Sequence, residues 1–142
     1  MEEFKDKVAV ITGGASGIGL GIARRCVKEG MRAVIADVEE SALRQAEDEL
    51  KSMGGTVSAV HTDVSKADQV EALAKAAIET FGAVHILCNN AGVAADGAIW
   101  ECSLPAWEWA IGVNIWGVIN GIRTFVPIML SQDTECHIVN TA

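Results

Sequence analysis

Tyrosine is missing from the 142-residue sequence, so a mechanism that needs a phenolic acid or base finds no such group within it. Positive charge is scarce as well. Eleven Lys and Arg stand against nineteen Asp and Glu, a formal net charge of -8, and no Lys/Arg-rich run occurs. A nucleic-acid backbone or an anionic membrane surface therefore finds no electrostatic footprint, and neither is expected as a partner. The four cysteines, Cys26, Cys88, Cys102 and Cys136, show no CxxC or metal-like spacing. The opening MEEFKDK is charged throughout and does not resemble a secretion signal, so reduced thiols and a cytoplasmic setting are expected. His61, His85 and His137 have no ligand spacing either. They read as satisfied structural histidines, and no metal site is expected.

Half of the residues are hydrophobic and 21% are charged, which fits one soluble domain with a substantial core. The charge is uneven: positions 72 to 142 carry only eight charged residues, so the second half reads as unusually buried. Within it, Ala110 to Leu130 imitates a membrane span. Arg123, Asn114, Asn120, three glycines and Pro127 argue instead for a helix buried between protein surfaces.

Apolar runs and helical periodicities alternate along the chain. Strands are predicted at Lys7 to Thr12, Arg32 to Ala36 with Asp37 at its end, Thr56 to Val60, Val84 to Cys88 and Cys136 to Thr141. Between them, helices are predicted at Gly17 to Glu29, Glu39 to Met53, a third ended by Gly82, and a long one from a Ser103 cap to about Leu130. Ser65 with Asp68 has the spacing of a capping box for the third helix. Strand and helix alternating without repeat, low-complexity tract or linker imply a parallel α/β sheet with helices on both faces.

The first strand-to-helix turn reads Thr12-Gly13-Gly14-Ala15-Ser16-Gly17-Ile18-Gly19. Glycines at 13, 17 and 19 allow a tight turn and the approach of a pyrophosphate to backbone N–H groups at a helix N-terminus. Eighteen residues after Gly19, Asp37 ends the next strand, where a carboxylate can accept hydrogen bonds from both ribose hydroxyls and repel a 2'-phosphate. Neither Ser16 nor Val38 offers the cationic partner a 2'-phosphate needs, so NAD is favoured over NADP.

These residues resemble the short-chain dehydrogenase/reductase family, whose TGxxxGxG motif is matched by Thr12 to Gly19. Asp63-Val64, Asn89-Asn90-Ala91-Gly92, Asn114 and Ile138 to Ala142 extend the resemblance over essentially the whole chain. It implies a Rossmann-like, doubly wound parallel sheet in three αβα layers, truncated after the fifth strand, with residues 1–142 as a single incomplete NAD-binding domain. It also implies that Gly13, Ser16, Gly17, Ile18 and Gly19 hold the pyrophosphate side of the cofactor. Asp63 would hydrogen-bond the adenine amino group beside Val64, while Asn90, Ala91 and Gly92 would line the adenosine side. Asn114 corresponds to the asparagine of a catalytic Asn-Ser-Tyr-Lys set, holding a relay water or capping a helix kink.

By the same resemblance, the catalytic serine falls immediately after Ala142, and the Tyr-x-x-x-Lys pair further on. The family reaction moves hydride between an alcohol or ketone and nicotinamide, so these 142 residues are expected to bind cofactor but to lack the acid/base. Two other readings stay open, a non-catalytic dinucleotide-binding module and a fragment that interacts with a relative. An open fifth strand and an uncovered long helix favour a homo-oligomer. Trp109 and Trp116, seven residues apart, share one helix face and read as packing or subunit-contact residues.

Overall fold

The computed structural model describes residues 1 and 3–142. Five parallel strands, β1 (Val8–Thr12), β2 (Arg32–Asp37), β3 (Thr56–His61), β4 (Ile86–Asn89) and β5 (His137–Asn140), form one sheet in the order β3-β2-β1-β4-β5. Helices α1 (Gly17–Lys28), α2 (Glu40–Ser52) and α3 (Ala67–Phe81) connect the first four strands, and α4 (Leu104–Ile111) and α5 (Gly117–Ser131) lie between β4 and β5. This is the Rossmann-like α/β architecture.

Side chains of successive strand residues point to opposite faces, which splits the core in two. Ala9 and Ile11 of β1 join Ile35, Ala23, Leu43 and Leu50 under α1 and α2. Val10 joins Val34, Val70, Leu73, Leu87 and Phe125 under α3 and α5. Every residue of β1 is buried, as a central strand covered on both faces requires.

Three expectations need correction. Ser65 does not cap α3. Lys66 occupies that position without a side-chain bond, and the Ser65 hydroxyl donates to Asp63 Oδ1 at 2.6 Å, a nearer acceptor in the preceding turn. The helix after Ser103 is not uniform: five residues, Gly112–Trp116, form a π-helical segment between α4 and α5. Ser103 does cap α4, accepting from the Ala106 N–H at 3.3 Å. Finally, the charge-poor second half is not unusually buried: it contributes fewer buried residues than the first half. Trp100, Leu104 and Leu130 are each more than three-quarters exposed, and all of β5 is exposed. Low charge there reflects apolar surface that is uncovered. The continuous helical stretch Leu104–Ser131 is long and apolar enough to cross a membrane, but it is docked on the sheet through buried Asn120, Gly121, Phe125 and Met129.

His85 joins β1 to β4 at the end of the sheet remote from the glycine turn. Its Nδ1 accepts from the Val8 N–H at 3.0 Å, and its own N–H donates to Val8 O at 2.8 Å. Burial, with Lys7 and Arg32 nearby, holds its pKa below the ordinary 6.5. The unfolded chain therefore takes up a proton at a pH where the folded chain does not. Stability is complete above pH 6.5 and is lost as pH falls from there through the folded-state pKa. We expect the urea midpoint to fall between pH 7.5 and 5.5 by more in the parent than in His85→Asn. Equal shifts would remove His85 as the cause.

Candidate active site

Between β1 and β4 the strand order reverses: the chain runs outward from β1 to β3 and then returns to the other side of β1. The loops leaving the two strands part there and open a crevice at their carboxyl ends. A cleft of about 500 Å³ occupies this place. It takes Gly13, Ser16, Gly17 and Ile18 from the β1–α1 turn, Asp37 from β2, Asp63 and Val64 from beyond β3, and Asn90, Ala91 and Gly92 from beyond β4. Among the described residues no lysine or arginine lines it, and three carboxylates do: Asp37, Glu39 and Asp63.

The glycine turn is shaped by two different constraints. Gly17 adopts φ +51° with open space around it, so backbone conformation alone demands glycine there. At Gly19 the demand is closeness, because an added Cβ would lie 2.0 Å from Gly13 O and 2.6 Å from Asn90 Nδ2. Gly19 is consequently buried behind the cleft and does not line it. Ser16 precedes α1 without a side-chain cap bond, and the first intrahelical bond of this end runs from Leu20 N to Ser16 O. The N–H groups of the first turn thus face the cleft at the positive end of the helix dipole, a donor set suited to phosphate.

The two aspartates are held differently. Asp37 Oδ2 accepts from Ala15 N at 3.1 Å and Oδ1 from Glu39 N at 3.1 Å, so the carboxylate is fixed while each oxygen keeps a lone pair. Asp63 Oδ1 accepts from both the N–H and the hydroxyl of Ser65, leaving Oδ2 without a hydrogen bond among the described residues. A fixed acceptor at the end of β2 and a half-free one beyond β3 suit the hydroxyls and amino group of a nucleoside. With the open end of α1 after β1, on the other side of Asp37 from Asp63, the residues present fit a dinucleotide.

Comparison with known proteins gives the same direction. Residues 7–142 match the short chain dehydrogenase family. The chain belongs to the short-chain dehydrogenase family. Among curated relatives it is 38% identical to the CLA biosynthesis dehydrogenase/reductase of Lactiplantibacillus plantarum, covering 100% of this chain and 50% of that protein. It is 42% identical to the C alpha-dehydrogenase of a Sphingobium species, with 100% and 47% covered. A short chain dehydrogenase/reductase from Burkholderia phymatum, solved in complex with NAD, superimposes with a TM-score of 0.97 at 54% identity, covering 100% of this chain and 50% of that one. The chain spans about half the length of the curated relatives it matches.

Within this family member, Thr12 is the knot of the site. Its hydroxyl donates to Cys88 O at 3.2 Å and accepts from the N–H groups of Asn90 and Ala91 at 3.0 and 3.1 Å. The Asn90 amide donates to Thr12 O at 3.1 Å and accepts from Thr141 Oγ1 at 3.1 Å. β1, β4 and β5 are thereby locked together beside the cleft. Thr12 opens the glycine motif, and that was the signal available for its role.

Asn114 lies in the π segment and does not line the cleft. Its Oδ1 accepts from Val93 N and its Nδ2 donates to Val93 O, both at 2.8 Å. The amide therefore clamps the loop after β4 to the helix, and the widened π turn is where it reaches that loop. Cleft residues with no sequence signal of their own are Thr62, Val93 and Val113; Trp109, expected as a packing or subunit-contact residue, also lines the cleft, whereas Trp116 does not.

Proposed function

We propose that the protein is an NAD-dependent oxidoreductase moving hydride between an alcohol or ketone and nicotinamide, and that these 142 residues supply its cofactor-binding surface. The carrying observation is Asp37, fixed at the end of β2 in a cleft lined by three carboxylates and no cation. Such a rim accepts ribose hydroxyls and repels a 2'-phosphate, which supports NAD over NADP. The NAD bound to the Burkholderia phymatum protein supports the same choice.

When bound, the dinucleotide supplies the hydride acceptor or donor. In this reading Asp37 and Asp63 orient the adenosine half, and the first turn of α1, with Ser16, Gly17 and Ile18, holds the pyrophosphate. Gly13 and Gly19 keep that turn close-packed. Val64 packs by the base, while Asn90, Ala91 and Gly92 fix the wall beyond β4. Asn114 positions that wall through Val93. With no tyrosine in the sequence, no phenol is present to exchange the hydroxyl proton, so these residues by themselves bind cofactor without turning over alcohol.

Asp37→Ala is expected to weaken NAD binding by about tenfold, the loss of one or two hydrogen bonds to a charged acceptor, and to narrow the gap to NADP. Titration calorimetry checks this. Tighter binding of NADP than of NAD by the parent, or alcohol-dependent NADH production by the 142-residue chain, would sink the proposal.

We further propose a homo-oligomer, supported by the exposed β5 and by the half-exposed Trp107 and Trp116 along the long helix. A stable monomer in sedimentation at micromolar concentration would overturn this. A cytoplasmic setting suits the four free thiols; fractionation to an oxidising compartment would contradict it.

A further inference from the structure

One peptide unit in the turn after β2 is held at both of its ends. Its oxygen, that of Val38, lies 3.1 Å from Nε2 of His61, and its N–H, that of Glu39, donates to Asp37 Oδ1 at 3.1 Å. A carbonyl oxygen can only accept, so Nε2 of His61 carries a proton and donates. The sheet brings the imidazole there. β2 and β3 run parallel with Asp37 opposite His61, and Thr62 N donates to Asp37 O at 2.9 Å, so the two strands stay bonded to their ends. His61 is exposed and does not line the cleft, whereas Asp37, Val38 and Glu39 do.

A peptide unit is planar, so fixing its oxygen fixes the direction of its N–H. That N–H orients Asp37 Oδ1, while Ala15 N, at 3.1 Å, orients Oδ2. We propose that His61 is a positioning residue for cofactor choice: by holding the Val38–Glu39 peptide it keeps the Asp37 carboxylate turned to accept ribose hydroxyls. This rests on the dinucleotide reading above. Without the imidazole the oxygen end of the peptide is free, because the Val38 side chain is half-exposed and offers little packing to resist rotation. Beyond it the chain is anchored again, since Leu43 N donates to Glu39 O at 2.8 Å. The freedom is therefore confined to this one peptide, and its consequence is that Asp37 Oδ1 loses its guide.

The test measures NAD and NADP affinities of the 142-residue chain by titration calorimetry, with urea denaturation establishing that each variant is folded. His61→Leu is expected to bind NAD about fivefold more weakly, the worth of one ordinary hydrogen bond, with NADP affinity unchanged. A merely structural loosening would lower both affinities together. His61→Gln, whose side-chain amide donates from nearly the place of Nε2, is expected to restore the parental preference. His61→Asn, whose shorter amide does not reach Val38 O, is expected to behave as His61→Leu and replaces it should leucine disturb folding. In an Asp37→Ala background His61→Leu should change neither affinity, because the group it orients is gone. A parental NAD-to-NADP ratio in folded His61→Leu and His61→Asn, equal losses of both cofactors, no rescue by His61→Gln, or a further loss on top of Asp37→Ala each overturns the positioning role and leaves the dinucleotide reading intact. A folded parent that binds neither NAD nor NADP overturns both.

Discussion

Gly19→Ala is expected to abolish dinucleotide binding and to destabilise the fold by about 3 kcal/mol or more, the upper end of what overpacking costs. The added methyl would meet Gly13 O at 2.0 Å and Asn90 Nδ2 at 2.6 Å, and neither can move freely. Gly13 O belongs to the turn backbone, and the Asn90 amide is committed to Thr12 O and Thr141. Relief requires α1 to withdraw from the turn, which carries its N-terminal N–H groups away from the cleft. Gly21→Ala is the control. It lies in the same helix with nothing within 4 Å of an added Cβ, and is expected to be neutral or to stabilise by up to about 1 kcal/mol through helix propensity. Urea denaturation and NAD titration of the two variants check the pair. A parental midpoint for Gly19→Ala would show that the turn is looser than its contacts require.

Phe125→Ala is the larger blow to stability. Phe125 is fully buried on α5, among the residues that α3 and the sheet contribute to the second core layer. Truncating a buried phenylalanine costs about 3–5 kcal/mol, from lost transfer free energy and from the cavity left behind. Set against the roughly 5–15 kcal/mol that holds a domain of this size together, such a loss leaves little margin. Its effect reaches the site as well. α5 continues directly from the π segment that carries Asn114, so weakening its seat loosens the clamp on Val93. We expect a large fall in the thermal midpoint of Phe125→Ala. Leu130→Ala, on the exposed side of the same helix, should change stability by no more than about 0.5 kcal/mol. Equal losses at both positions would mean that α5 is not seated by Phe125.

Much of the fold was legible because its signals are local. The five apolar runs became the five strands within a residue or two, and Gly82 ended α3 in the left-handed conformation that glycine tolerates best. β4 begins two residues later than its apolar run because the His85 imidazole, a side chain, takes the Val8 N–H at that level. Ser65 misled for a similar reason. The capping spacing was present, but Asp63 stood closer to the hydroxyl than the helix did. The shortage of charge in the second half was correctly seen and wrongly assigned, since a count of charges cannot say whether apolar surface is covered.

For the candidate site, the glycine turn and Asp37 were readable from spacing, and Asp63 only through the family resemblance. The structure brings ten of the eleven expected cofactor residues to one cleft and sets Gly19 behind it. Asn114 was left between relay and structural roles, and its position off the cleft with both amide ends on Val93 gives the structural role a concrete form.

The sequence by itself determined the order and kind of the elements, the open end of α1 and the acidic residues at the strand ends. Each depends on side-chain period, glycine geometry or spacing within about twenty residues. Only the tertiary structure decided that the strands run β3-β2-β1-β4-β5, that Thr12 ties β1 to the loop after β4, and that Trp109 and Asp63 line one cleft. Those outcomes rest on hydrogen bonds and packing between residues roughly fifty to eighty positions apart, such as Thr12 with Asn90 and Asn120 with Val64, and no local pattern encodes which distant partner a residue meets.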